Sequence, residues 1–278
     1  MTQLARPVLK WAGGKSRSLP DILAALPERI DTYYEPFIGG AAVFFALASE
    51  KRFKKAVLSD RNPALIDVYS ALKKDPEGII KVLRTYVHDQ DEYYQIRSLD
   101  PKTLDASERA ARMIFLNKTG YNGLYRVNSR GEFNVPFGRY KNPNFCDEDA
   151  LRLASRALAK VKILVGDFEE VSSGAEAGDA VYFDPPYDPV SKTANFTAYH
   201  HEEFGREDHA RLKNAFDRLA ARDVAVVLSN SDTEFTNELF RSWKPKKINV
   251  SRPINSKATH RGTVRELLVV SNARKRRA

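Results

Sequence analysis

The sequence predicts an α/β fold of the doubly wound, Rossmann-like kind, interrupted by an inserted helical domain that bears a β-hairpin. Three observations predict it. Apolar runs that end in an acid or a glycine turn recur and pass into helical spacing, the pattern of strands feeding crossover helices. The first, Tyr33-Tyr34-Glu35-Pro36-Phe37-Ile38-Gly39-Gly40, is followed about 20 residues later by a second, Ala56 to Asp60, the order in which doubly wound folds bring backbone and then a carboxylate against a cofactor. Between Asn62 and Ala159 the alternation lapses and helical spacing takes over. The expected division is residues 1–61 with 160–278 as the sheet domain, 62–159 as the insert, and 272–278 as a basic tail.

Composition sets the outer limits. With 278 residues, 42% of them hydrophobic, the chain can bury the core of one large domain or of a domain with an insertion. No apolar run approaches the roughly 20 residues of a membrane span, and Met1-Thr2-Gln3 is not a signal-peptide start. A soluble cytoplasmic protein is expected. Cys146 is the single cysteine, which excludes an internal disulfide or a cysteine-cluster zinc site, and the five histidines show no metal-ligand spacing. No metal is expected. A net charge of +9 favours a polyanionic partner without naming one.

In chain order, Val8-Leu9-Lys10-Trp11-Ala12-Gly13-Gly14-Lys15 is a short apolar lead-in to a glycine turn flanked by Lys10 and Lys15. Such a turn brings backbone amides and Lys15 close to a ligand, but it lacks phosphate-loop spacing. Pro20 to Leu26 reads as a helix, with Ile22, Leu23 and Leu26 on one face. The Glu35-to-Gly40 turn leads into helical spacing at Val43, Phe44 and Leu47, and Asp60 stands where a ribose hydroxyl acceptor would. Together these point to an adenosine-containing cofactor.

In the insert, helical faces run Leu65, Ile66, Tyr69, Leu72, then Ile80, Leu83, Val87, then Met113 and Leu116. Its centre breaks into a predicted hairpin with arms Leu124–Val127 and Glu132–Val135 about the turn Asn128-Ser-Arg-Gly131. Arg126, Arg130, Arg139, Lys141, Tyr121, Asn122 and Tyr125 cluster there. Guanidinium forks, amides and rings in one projecting loop are the groups that read base edges and wedge a stack; a solvated hairpin with incidental charge is the plainer reading.

Strands return with Val161 to Val165, ending at Asp167-Phe168, and with Val181-Tyr182-Phe183, which stops at Asp184-Pro185-Pro186-Tyr187. Proline cannot extend a ladder and restricts the residue before it, so the backbone around Asp184 is stiff and its carbonyls are unpaired. Asp184 and a proline carbonyl can accept both protons of an aromatic amine while Tyr187 stacks on the ring. Asp-Pro-Pro also occurs in ordinary turns, so this stretch alone leaves both readings open. Asp188 to Gly205 is long, polar and aperiodic, as a loop beside a site is. A helix over Asp208–Ala221, a strand over Val224–Asn230 and strands at Lys247–Val250 and Leu267–Val270 complete the chain.

The ordered set Lys10-Trp-Ala-Gly-Gly-Lys15, Glu35-Pro-Phe-Ile-Gly39, Asp60, Gly166-Asp-Phe168 and Asp184-Pro-Pro-Tyr187 resembles the Dam family of DNA adenine methyltransferases. The resemblance extends over nearly the whole chain. Gly120-Tyr-Asn-Gly-Leu-Tyr-Arg126, Arg130-Gly-Glu-Phe-Asn-Val-Pro-Phe-Gly-Arg139 and Thr193-Ala-Asn-Phe-Thr-Ala-Tyr-His200 are close to the enzymes that methylate adenine in GATC. It implies S-adenosylmethionine as cofactor, with S-adenosylhomocysteine as product. Trp11 and Lys15, the Glu35-Pro36-Phe37 turn with Gly39 and Gly40, Asp60, Asp167, Phe168 and Asp184 would hold it. Asp184, Pro185 and Tyr187 would act on a flipped adenine by direct in-line transfer, without a covalent enzyme intermediate. In double-stranded DNA, Tyr121 would wedge into the gap, Arg126 would read a guanine, Leu124 and Pro136 would meet a thymine methyl, and Lys10 would contact the first guanine. Asn122 and Arg139 would make base or backbone contacts.

The resemblance further implies a monomer, no membrane partner, and, for enzymes of restriction systems, a cognate endonuclease. One departure stands out. The family shows a second glycine two positions after Gly39, where this chain has Ala41; the expectation is that a small side chain suffices there. Three other readings stay open: a cytosine amine methyltransferase, where serine commonly replaces the aspartate; a protein-glutamine methyltransferase, with asparagine there; and a DNA-binding relative without activity.

Overall fold

The computed structural model describes residues 4–189, 204–251 and 263–271. Most of the predicted 188–205 loop, the Thr193–His200 motif and the 272–278 tail lie outside these residues.

Strands β1 (Ile30–Glu35), β2 (Phe53–Asp60), β3 (Val161–Val165), β4 (Ala180–Phe183), β5 (Ala225–Ser231), β6 (Lys246–Ser251) and β7 (Thr263–Val270) form one sheet in the order β3-β2-β1-β4-β5-β7-β6. All pairs are parallel except those of β7, which runs antiparallel between β5 and β6. The order reverses between β1 and β4. In a doubly wound sheet the ligand crevice opens at that point, beyond the carboxyl ends of the strands.

Both faces of the central strands are covered, which is why they read as continuous apolar runs rather than alternating ones. Ala180 and Tyr182 of β4, with Ala225 and Val227 of β5, enter one core. Val181, Phe183, Val226 and Leu228 point the other way into a second. The first core is closed by α1 (Leu19–Ala25), α2 (Ala42–Ser49) and the helices of the insert, and the second by α8 (Phe168–Ser172), α9 (Arg206–Ala221) and the end of α10 (Glu234–Leu239).

The segment between β2 and β3 holds α3 (Pro63–Lys74), α4 (Pro76–Leu83), α5 (Gln90–Ser98), α6 (Ala106–Thr119) and α7 (Glu148–Leu158). Their starts are encoded locally: Asn62, Asp75, Asp89, Asp105 and Asp147 each cap orphan backbone N–H groups, Asp105 within a capping box, and Pro63 and Pro76 open their helices. These helices share the first core with the sheet: Leu65, Tyr69, Phe115 and Leu158 cluster with Tyr33, Phe44 and Leu58.

Two expectations change. The hairpin keeps its turn, with Gly131 N donating to Asn128 O at 2.9 Å and Gly131 at φ +79°, but its arms form no ladder, only the isolated bridges Val127↔Phe133 and Gly120↔Phe137. The backbone joins the arms through Asn128 N to Glu132 O at 2.9 Å and Asn134 N to Arg126 O at 3.0 Å, and side chains add to these bonds. Asn128 Oδ1 accepts from the N–H of Arg130 and of Glu132, both at 3.0 Å, and the Arg126 guanidinium donates to Asn134 O at 2.9 Å. Val87 does not continue the Ile80–Leu83 face: α4 ends at Leu83, and Val87 is left exposed ahead of the Asp89 cap.

Candidate active site

β4 delivers Asp184 to the crevice, where β5 on one side and the N-terminal turn on the other hold its carboxylate. Ser229, near the end of β5, donates to Asp184 Oδ1 at 3.0 Å, and Ser229 in turn pairs with the buried hydroxyl of Tyr182 at 2.8 Å. Lys15 Nζ contacts Asp184 Oδ2 at 2.7 Å and donates to Gly13 O at 2.5 Å. The same ammonium lies 4.8 Å from the centroid of the Tyr187 ring. Tyr187 is tied at its far end, its hydroxyl donating to Glu266 Oε2 on β7 at 3.3 Å. Pro185 is buried and Pro186 exposed. The next residue, Asp188, is clamped by Thr233 Oγ1 at 2.7 Å and through its N–H to Asn230 Oδ1 at 3.1 Å. The acceptor turn is thus rigid at both ends.

Glu35, the last residue of β1, is fully enclosed. Burial pushes its carboxyl up to about 8, and the nearby Asp184 adds to this against the Tyr33 hydroxyl, which donates to Glu35 Oε2 at 2.8 Å, and the Phe44 N–H. Burial likewise raises Asp184, opposed by Lys15, and raises Asp60, opposed by the N–H groups of Asn62 and Gly39. Glu35 and Asp184 thus line one small cavity with Lys15 as the cation between them, and Asp60 holds the Gly39 turn beside it. A ligand that brings positive charge there would favour the ionised form of Glu35.

The turn after β1 is built for close approach. Pro36 is buried; Gly39 has φ +46°, and a Cβ there would stand 2.8 Å from Trp11 Cδ1, so the indole lies directly on the turn. Trp11, Lys15, Glu35, Gly39, Gly40 and Asp184 line one small cavity. Asp60 accepts from Gly39 N at 3.4 Å and from Asn62 N at 3.0 Å. Ala41 corrects the sequence reading: it adopts φ +58°, ψ +30° at the start of α2, so the position calls for a left-handed backbone, not merely for a small side chain.

Asp167 caps α8 through the Glu169 N–H at 3.0 Å and is paired with Arg61 and Arg211. Burial raises its carboxyl, but that N–H and the two guanidinium groups outweigh it and leave it below its ordinary value. Phe168 and Phe37 stack on each other at 5.4 Å, and Phe168 is almost wholly enclosed.

Apart from Lys10, the residues that the resemblance assigns to DNA lie in the loop between α6 and α7. Tyr121, Asn122, Leu124, Arg126, Pro136 and Arg139 are all exposed. Tyr121, at 51%, is the most exposed large ring among the described residues. Lys10 runs along Gly123, where a Cβ would meet Lys10 Cδ at 2.4 Å, and its ammonium lies 4.1 Å from the Tyr140 ring centroid. The buried Asn117 ties these strands of chain together: Oδ1 accepts from Lys10 N at 2.7 Å, and Nδ2 donates to Lys10 O at 2.7 Å and to Gly123 O at 3.2 Å.

Residues 11–254 match the model of a single family, the D12 class N6 adenine-specific DNA methyltransferases. The chain belongs to that family. Among curated relatives, this methyltransferase is 42% identical over 274 residues to the type II methyltransferase M1.LlaDCHI of Lactococcus lactis subsp. cremoris, covering 96% of this chain and 95% of that one. It is 41% identical over 285 residues to the type II methyltransferase M.MjaIII of Methanocaldococcus jannaschii, covering 96% and 99%. It is 38% identical over 280 residues to the DNA adenine methylase of Escherichia coli (strain K12), covering 97% and 99%. Family membership fixes S-adenosylmethionine as methyl donor and adenine in DNA as acceptor, and sets aside the cytosine and protein-glutamine readings. No helix among the described residues is long and apolar enough to cross a membrane.

Sequence reading missed Ser229, Glu266, Asn117 and Tyr33 as parts of this methyltransferase's site. Ser229 and Asn117 carried a signal, each the first polar residue after an apolar run; Glu266 carried none, because its role depends on β7 lying next to β5.

Proposed function

We propose that this methyltransferase acts on an adenine flipped out of duplex DNA, within GATC, and works as a monomer. The observation that carries the reading is the Lys15 ammonium, held against Asp184 at 2.7 Å and over the face of Tyr187 at 4.8 Å. A nitrogen donor above that ring and against that carboxylate has the position an adenine N6 would take. The crevice suits one extruded base and not a paired one, since a stacked amine cannot reach it; extrusion costs a few kcal/mol.

The residues fit the cofactor. Gly39 admits close approach beneath Trp11, Asp60 offers oxygens for ribose hydroxyls, and Glu35 with Asp184 suits cationic groups. When bound, S-adenosylmethionine supplies an electrophilic methyl on sulfur. Asp184 accepts a hydrogen bond from one N6–H and the Pro185 carbonyl from the other, which draws the amine out of the ring plane and aims its lone pair at the methyl. Tyr187, braced by Glu266, stacks on the base. Ser229 keeps Asp184 Oδ1 engaged so that Oδ2 serves the amine once Lys15 withdraws. The N6 proton leaves to solvent, and catalysis is positioning and electrostatics.

On the DNA side, Arg126 reads a guanine, Leu124 and Pro136 meet the thymine methyl, Tyr121 fills the gap, Lys10 contacts the first guanine, and Asn122 and Arg139 make base or backbone contacts. Residues 62–159 form the DNA-contacting part. Asp167 and Phe168 border the cofactor adenine. Expression in a methylation-free bacterial host, with sequencing that maps every methylated adenine, tests the reading: marks confined to GATC support it. Marks at another sequence overturn the assigned specificity, and no marks at all overturn the assigned activity.

A further inference from the structure

Tyr125 joins the two halves of the site. Leu124 and Arg126, on either side of it, are exposed, while Tyr125 turns inward against the core. Its ring stacks on Trp11 with centroids 5.4 Å apart and planes inclined by 27°, and Phe133 meets it edge-on at 5.9 Å. Trp11 lies on the Gly39 turn, whose N–H donates to Asp60 Oδ2. Asp60 is held at its other oxygen too, Oδ1 accepting from the N–H of Asn62 at 3.0 Å. A route therefore runs from one ring of the loop to Asp60, through Trp11 and Gly39.

We propose that Tyr125 is a positioning residue that couples occupancy of the cofactor site to the ordering of Leu124 and Arg126 on DNA. This rests on the function proposed above, in taking the Trp11–Asp60 wall as the cofactor's and Arg126 as base-reading. A ligand seated between Trp11 and Asp60 restrains the ring through its stack on Trp11, and the restrained ring holds its chain neighbours in their outward poses. DNA that fixes Leu124 and Arg126 restrains the ring in return, and such coupling is reciprocal by linkage. A ring that only filled the core would contribute stability without making one ligand's affinity depend on the other.

The test is calorimetric titration of the full chain with S-adenosylhomocysteine, alone and saturated with a short GATC duplex, for wild type, Tyr125→Phe and Tyr125→Leu. Wild type should bind the nucleoside on the order of tenfold more tightly when the duplex is present. That ratio should persist in Tyr125→Phe, which keeps the stack on Trp11, and approach one in Tyr125→Leu, which loses it. A wild-type ratio of one, a ratio unchanged in folded Tyr125→Leu, or a ratio lost in Tyr125→Phe overturns the coupling. Methyl transfer by wild type, read in the same preparations, separates the two ideas: absent transfer condemns the proposed function, whereas normal transfer with an unchanged ratio condemns only the role of Tyr125.

Discussion

At the residue scale, the crevice is a set of acids kept in unequal states by their surroundings. Asp184 has an ammonium within 2.7 Å and a hydroxyl at 3.0 Å, whereas Glu35 is enclosed with a phenol as its side-chain donor and is raised to about 8. Replacing Asp184 by alanine should abolish methylation while leaving duplex binding within a few-fold of wild type; measurable turnover would remove Asp184 from the mechanism. Glu35 gives a pH prediction. Its folded value lies above its ordinary 4.5, so the folded, ligand-free chain holds a proton that the unfolded chain releases, and stability falls as pH rises from 4.5 to about 8. An ammonium docking against Glu35 favours the anion, so S-adenosylhomocysteine affinity should climb by up to about tenfold per pH unit between pH 6.5 and 8. Calorimetry across that range, with Glu35→Gln flattening the slope, checks it. Ala41 offers a third test. An L residue in the left-handed region costs roughly 1–2 kcal/mol, offset in part by the greater chain entropy that glycine loses on folding. Ala41→Gly should therefore raise unfolding stability by up to about 1 kcal/mol, read as a higher denaturant midpoint at unchanged slope.

At the element scale, the loop proposed to read DNA is held by two backbone bonds between its arms together with its own side chains, not by a continuous β-ladder. Arg126 donates from Nε to Asn134 Oδ1 at 2.6 Å and from Nη2 to Asn134 O at 2.9 Å, which holds an exposed guanidinium in one pose with Nη1 left over. Arg126→Ala should relax preference for a single base by about 1–3 kcal/mol, whereas loss of a phosphate-contacting lysine weakens all sequences alike. Competition binding on duplexes altered one base at a time separates these outcomes. This loop also shows what the sequence could and could not convey. Strand β4 was legible because burial on both faces writes an unbroken apolar run, and β1 and β2 because a short aromatic or apolar stretch ends in a carboxylate, Glu35 and Asp60. The Asn128–Gly131 turn was legible because Gly131 sits at φ +79°. The arms were not, because Asn128 and Arg126 spend side-chain groups on backbone partners, a choice that alternation does not reveal. The antiparallel placement of β7 was equally hidden, and with it the contact of Glu266 with Tyr187.

At the scale of the whole molecule, sequence reading divides the chain into a sheet domain and an insert, yet the packing runs straight across that division. Leu65, Tyr69, Phe115 and Leu158 of the insert share one core with Tyr33, Phe44 and Leu58 of the sheet, and Asn117 on α6 binds both backbone groups of Lys10. Burial of each such aromatic or leucine side chain contributes about 1.5–3 kcal/mol, so neither part could open without exposing the other's share. The chain should therefore unfold in one transition. Trp11 is well placed to report it, lying between Gly39 of the sheet half and Tyr125 of the insert. In a Trp243→Phe background Trp11 is the remaining tryptophan, and its fluorescence should change at the same urea midpoint as the far-ultraviolet dichroism of the helices. Two separated midpoints would mean that the insert melts on a core of its own, and that DNA reading could be disordered while the sheet stays folded.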